Sequence, residues 1–251
     1  MPLVHHARRE IHLKVVYYGP GLGGKTTNLE RIHAGSRPER RGKLVSLATE
    51  AERTLFFDLL PVELGVFRGY QVRLHLCTVP GQIAHDRTRQ LVLRHVDGIV
   101  FVVDSQTERL GENRESIANL ATNLRRQGDD PNRLPLVVQY NKRDLPNALP
   151  VGTLRAALNV PAGVPELEAV ALEGRGVFET VKEVLKGCLR LVGDPKEARL
   201  GWKPLSTQPG ARASMFPGAP AREGGAPRPL VGHTPLPAPP KAPHLASDDD
   251  D

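Results

Sequence analysis

The residues Gly19-Pro20-Gly21-Leu22-Gly23-Gly24-Lys25-Thr26-Thr27 carry the most specific chemistry in the chain. Four residues separate Gly19 from Gly24, and Lys25-Thr26 follow directly, which is the spacing of a phosphate-binding P-loop. The composition suits such a loop, because glycine has no Cβ to clash when successive backbone N–H groups curl around an anionic β-phosphate. Lys25 adds a point charge near the β- and γ-phosphates, and the Thr26 hydroxyl is placed to ligate Mg²⁺. A helix beginning near Lys25 turns the positive end of its dipole toward the same anion. A chance glycine-rich turn shares the composition. It requires neither the strand-like Val15-Val16-Tyr17-Tyr18 before the loop nor a helix after it.

A phosphate loop does not choose a base, but Asn141-Lys142-Arg143-Asp144 does. In such a turn the carboxylate of Asp144 accepts hydrogen bonds from guanine N1–H and N2–H₂, while the Asn141 amide and the Lys142 stem brace the ring. Adenine lacks that donor pair, and a site built to hydrogen-bond a substrate group rejects an analogue without it. The alternative is an ordinary polar turn before Pro146. Its place about 115 residues beyond the P-loop, at the end of the apolar run Leu136 to Tyr140, favours guanine.

Thr78-Val79-Pro80-Gly81-Gln82 occupies the place where Ras-like GTPases have Asp-x-x-Gly-Gln. There the Gly81 N–H approaches the γ-phosphate and Gln82 orients the attacking water. Thr78 departs from the general pattern, because the usual Asp assists Mg²⁺ binding. Together with the P-loop continuing to Asn28-Leu29, the segment Thr49-Glu50-Ala51-Glu52-Arg53-Thr54-Leu55-Phe56-Phe57-Asp58 and Asn141 to Asp144, this motif resembles the bacterial MglA-type small GTPases of gliding motility and cell polarity. That family shares the threonine. The resemblance spans about residues 10 to 192.

The resemblance implies further roles. Thr54 is the switch threonine that reaches Mg²⁺ and the γ-phosphate, Arg53 an arginine finger supplied in cis, and Gln82 the residue that positions water. The implied partners are a homodimeric roadblock-type GTPase-activating protein and nucleotide-dependent effectors, and the implied place of action is the cytoplasm with recruitment to cell poles. On spacing alone, an arginine beside a threonine in a loop reads as solvated surface. Val170-Ala171-Leu172 stands where Ras-like proteins use a Ser-Ala-x loop. Ala171 is expected to offer its backbone N–H to guanine O6, whereas Val170 does not supply the serine.

These motifs need a scaffold that brings loop ends together. Strand-like Ile11 to Tyr18, Gln71 to Leu76, Gly98 to Asp104, Leu136 to Tyr140 and Leu167 to Leu172 alternate with helical Lys25 to Ile32, Arg109 to Arg126, Thr153 to Leu158 and Gly176 to Leu191. The alternation implies an α/β fold with a mostly parallel central sheet and helices on both faces, and the resemblance implies that this is the small G-domain of the P-loop NTPases. In such sheets ligands sit at the carboxyl ends of strands, where each motif here falls. Gln71 to Leu76 alternates polar and apolar and is expected at the edge side of the sheet. Arg40 to Leu60 lacks clean periodicity and is expected to be a switch segment, as is Gln82 to His95.

Composition sets the boundaries. Of the 23 prolines, 12 lie between Pro195 and Asp251 among Ala, Gly and Ser, so a disordered tail follows a domain over 11–194, with 1–10 as an N-terminal extension. The net charge of +6 is spread over scattered basic pairs and aromatics are 4%, which argues against nucleic acid. Cys77 and Cys188 provide neither a disulfide framework nor metal-ligand spacing, and His5-His6 lack further ligands. No apolar run is long enough to cross a bilayer, Pro2 excludes myristoylation and the Asp248 to Asp251 end excludes prenylation, so no direct membrane anchor is expected. Two other functions remain open on these residues: a GTP-binding scaffold without useful hydrolysis, for which the proline-rich tail speaks, and an ATP-using kinase, for which no adenine pocket or acceptor site is legible.

Overall fold

The computed structural model describes residues 2–47, 57–81, 86–131 and 133–193. Arg53, Thr54, Gln82 and the proline-rich stretch lie outside them. Eight strands form one sheet: β1 (Leu3–His5), β2 (Glu10–Tyr18), β3 (Val45–Leu47), β4 (Phe57–Phe67), β5 (Tyr70–Thr78), β6 (Gly98–Asp104), β7 (Leu136–Asn141) and β8 (Glu166–Glu168). Their order is β3-β4-β5-β2-β6-β7-β8, with β1 added beside β2. The strands from β5 through β8 run parallel in that order, whereas β1, β3 and β4 pair antiparallel. Five helices accompany them among the described residues: α1 (Lys25–Gly35), α2 (Asp86–Leu93), α3 (Leu110–Arg126), α4 (Val151–Leu158) and α5 (Val177–Val192).

Every residue of β6 is buried, as a central parallel strand covered on both faces requires. Strand alternation divides the helices between the faces. Val15 and Tyr17 join Leu29 and Ile32 of α1 and Val177, Val181, Val184 and Cys188 of α5 in one apolar core. Tyr18 points the other way, its phenol donating to Asn119 Oδ1 of α3 at 2.5 Å. One neutral polar triad interrupts the first core: Gln139 exchanges amide hydrogen bonds with Asn28 at 2.9 and 3.0 Å and donates to Thr180 Oγ1 at 2.9 Å. Each buried amide is satisfied, so the triad fixes β7 against α1 and α5 without an orphaned group.

Four expectations change. The stretch before residue 11 supplies β1 and is part of the sheet. Gln71 to Leu76 lies within β5, which is interior, between β4 and β2. Its polar face is satisfied across strands: Arg73 pairs with Glu10 and Glu63 at 3.0 and 2.8 Å, and His75 stacks on His12. Residues 57–60 begin β4 and 86–93 form α2, so both segments expected to be switches include regular structure. The last strand is β8, shorter and earlier than Leu167 to Leu172, and residues 171–174 turn instead.

Candidate functional site

β2 ends at Tyr18 and the P-loop follows, with Gly24 as the N-cap of α1. Gly24 has φ +98°, and a Cβ there would lie 2.2 Å from Asn141 Nδ2, so only glycine lets the loop meet Asn141. Asn141 in turn donates to Gly23 O at 2.9 Å and accepts from Ala171 N at 2.8 Å. Ala171 is therefore placed differently from the expectation: its N–H is engaged by Asn141 and braces that side chain. Lys142, at φ +63°, donates to Asp104 Oδ2 at 2.6 Å and to Gln106 Oε1 at 3.1 Å. Asp144 is exposed and makes no side-chain hydrogen bond among the described residues, which leaves its carboxylate open to a base.

On the phosphate side Lys25 is buried, and its ammonium donates to Gly19 O and Pro20 O at 3.0 and 2.6 Å. Burial pulls its pKa down to about 7; Arg89 and Arg109 add repulsion, which Asp58 opposes. Val79-Pro80-Gly81 follows β5 directly, and Gly81 packs against the loop so closely that a Cβ on it would lie 2.2 Å from Gly21 Cα.

The Thr26 hydroxyl donates to Asp58 Oδ2 at 2.7 Å. Thr78 donates to the same oxygen at 3.0 Å, and Ser46 to Oδ1 at 2.7 Å. Asp58 is thus a buried carboxylate with only hydroxyl groups in direct contact among the described residues, beside Thr26 and within Coulombic reach of Lys25. Thr78 has no carboxylate of its own to place there, and Asp58 reaches the spot from the neighbouring antiparallel strand β4. These are hard oxygen donors, and few of them, which fits Mg²⁺ bound largely through phosphates and water. No cluster of three or more His, Cys, Asp or Glu side chains suited to a metal occurs among the described residues.

Sequence reading missed Asp58 in this role, and it also missed Asp104 and Arg109. Asp104, fully buried, holds Lys142; Arg109, at the residue before α3, donates to Gly21 O at 2.6 Å and lies 3.7 Å from Asp104. One guanidinium therefore links the Gly19 to Gly24 loop, through Asp104, to Lys142. Among the described residues no helix is long and apolar enough to cross a membrane.

The fold and the site together define the class. The sequence model of the ADP-ribosylation factor (Arf) family matches residues 3–186, and the chain belongs to this family of small GTP-binding proteins. Within that class the chain is 55% identical over 186 residues to the mutual gliding-motility protein MglA of Myxococcus xanthus (strain DK1622), covering 74% of this chain and 95% of that protein. It is also 27% identical over 184 residues to ADP-ribosylation factor-like protein 4C of Homo sapiens, covering 71% of this chain and 88% of that protein. The chain is an MglA-type Ras-like small GTPase, a switch that binds GTP and GDP.

Proposed function

We propose that this GTPase hydrolyses GTP to GDP with Mg²⁺ and signals its nucleotide state to effectors that control bacterial motility or cell polarity. The observation that carries the reading is the convergence of Lys25, Thr26, Asp58 and Gly81 on one phosphate site next to Asn141 and Lys142. Mg²⁺, when bound, supplies charge neutralisation at the phosphate oxygens. Thr26 and the switch threonine Thr54 would hold it, with Asp58 providing the carboxylate that Thr78 lacks. Lys25 binds the β- and γ-phosphates, Gly81 offers its N–H to the γ-phosphate, Gln82 orients water and Arg53 neutralises developing charge in cis. Asp144 selects guanine while Asn141 and Lys142 brace its pocket.

The slow intrinsic reaction is accelerated by a roadblock-type homodimeric activating protein, and effectors or that protein bring this cytoplasmic chain to the cell poles. Phosphate release from GTP-loaded protein, followed with and without such a homodimer, tests this. The expected outcome is a stimulation on the order of 10³, with effector capture by the GTP-loaded form and none by the GDP-loaded form. Equal capture in both states and no stimulation would favour a nonhydrolysing scaffold, the reading that the proline-rich 195–251 stretch supports.

A further inference from the structure

Arg89 is the largest fully buried side chain of the described residues. Its helix reads Asp86-Arg87-Thr88-Arg89-Gln90-Leu91-Val92-Leu93, where an arginine would ordinarily face water. Instead the guanidinium lies inside. Nε donates to Pro80 O at 3.0 Å, Nη2 to Gly81 O at 2.6 Å and Nη1 to Asn119 Oδ1 at 2.9 Å. Its carbon centre sits 5.1 Å from the centroid of the Tyr18 ring, a cation–π contact. No carboxylate touches it among the described residues. Burying a guanidinium among neutral partners is costly, and the rigid fork that it presents is suited to hold several acceptors in fixed directions.

The two carbonyls that it holds matter because peptide units are planar and trans. Fixing Pro80 C=O sets the opposite direction of the Gly81 N–H, and fixing Gly81 C=O sets the plane of the peptide that follows Gly81. The other side of Gly81 lies against Gly21 and Lys25. Gly81 is thus clamped between the phosphate loop and one guanidinium. The clamp is anchored on α3, since Asn119 also donates to Asp86 Oδ1 at 2.8 Å, as does Asn123 at 2.7 Å. Arg89 also contributes to the positive potential around Lys25.

We propose that Arg89 is a positioning residue for GTP hydrolysis: latched to α3 through Asn119, it sets the Pro80 and Gly81 peptides so that the Gly81 N–H and Gln82 meet the γ-phosphate. This rests on the reading of Gln82 as the residue that orients water. It makes α3 a place from which a partner tunes turnover without touching the nucleotide, because a shift of Asn119 is passed through one side chain to both peptides.

The test uses the full chain with Arg89→Met, Arg89→Lys, Asn119→Ala and Gln82→Ala, comparing labelled-GDP affinity with single-turnover hydrolysis of saturating GTP. Arg89→Met is expected to slow hydrolysis by about 10²-fold, the scale of losing an aligned transition-state contact, while GDP affinity stays within about threefold. Arg89→Lys does not rescue it, because an ammonium cannot serve three acceptors in fork geometry. Asn119→Ala shows a smaller loss in the same direction. Adding Arg89→Met to Gln82→Ala slows the reaction no further, since the two act through one step. A merely structural arginine would lower affinity and rate together and would add its loss to that of Gln82→Ala; that pattern overturns the proposal. So does a wild-type rate in Asn119→Ala, which needs no folded Arg89 variant to be informative. If Gln82→Ala itself hydrolyses GTP normally, the underlying reading of Gln82 falls and the role of Arg89 falls with it.

Discussion

The two faces of the sheet hold the phosphate site by different means. Behind the P-loop, α1 and α5 close over Tyr17 with apolar side chains and the neutral Asn28, Gln139 and Thr180 triad, in which every amide finds its partner within the protein. Across the sheet, Tyr18 faces a buried guanidinium on α2 that is tied to α3 through Asn119 and Asp86. The first arrangement is self-contained, its polar groups paired with one another. The second spends a buried cation, with no direct anionic partner among the described residues, on holding the Pro80 and Gly81 carbonyls. Nucleotide binding and turnover are therefore expected to separate by mutation.

The sharpest way to break that separation is at the base. Asp144→Asn should weaken GDP binding by about 10³-fold, the scale for leaving buried polar groups mispaired, with no loss of thermal stability because the side chain is exposed and makes no hydrogen bond among the described residues. Displacement of labelled GDP measures it, and an unchanged affinity would remove Asp144 from the base site.

A smaller effect is expected at the junction of the two halves. Asp58→Ala strips the partner from the Thr26, Thr78 and Ser46 hydroxyls. It should abolish most of the slowing of GDP release that Mg²⁺ provides, by about tenfold, while release in excess chelator stays near the wild-type rate. Dissociation rates with and without Mg²⁺ decide this; a full Mg²⁺ effect in the variant would place the carboxylate outside the metal's surroundings.

The smallest effect is electrostatic. Burial lowers the nucleotide-free Lys25 ammonium to about 7, and bound phosphates favour its charged form. The sign follows: below about pH 7 the lysine is already protonated and its contribution is flat, whereas above it binding must take up a proton and affinity falls as pH rises. Calorimetry at pH 8 in buffers of different ionisation enthalpy should register close to one proton taken up per GDP, and Lys25→Arg should register none. Proton-neutral binding by the unaltered chain would contradict the lowered value.

Local signals made the binding half legible in the sequence. The P-loop spacing, the apolar run Ile99 to Val103 of β6 and the Asn141 to Asp144 turn each occupy a few consecutive residues. The contacts that tie these motifs together join residues distant along the chain, such as Asp58 on Thr26 and Arg109 on Gly21. β4 was hidden because Pro61 interrupts it and its register shifts between Glu63 and Gly65, which destroys alternation. Past Leu59 its outer side meets only the isolated bridge from Arg41 to Val62 among the described residues, which is where a strand tolerates proline. β5 read as an edge strand because its polar face is satisfied by cross-strand partners rather than by water. Arg89 did carry a signal: Val92 and Leu93 follow it at i+3 and i+4, so it stands on the apolar stripe of its helix. Arg53, Thr54 and Gln82, named through a family resemblance, lie outside the described residues.

The proposed function thus has one set of groups binding guanine nucleotide and another turning it over. Single-turnover phosphate release from GTP-loaded Gln82→Ala, set beside its GDP affinity, puts that division to the test in one variant. Release slowed by about 10²-fold or more, with affinity preserved, is the expected result. Release at the wild-type rate would contradict it.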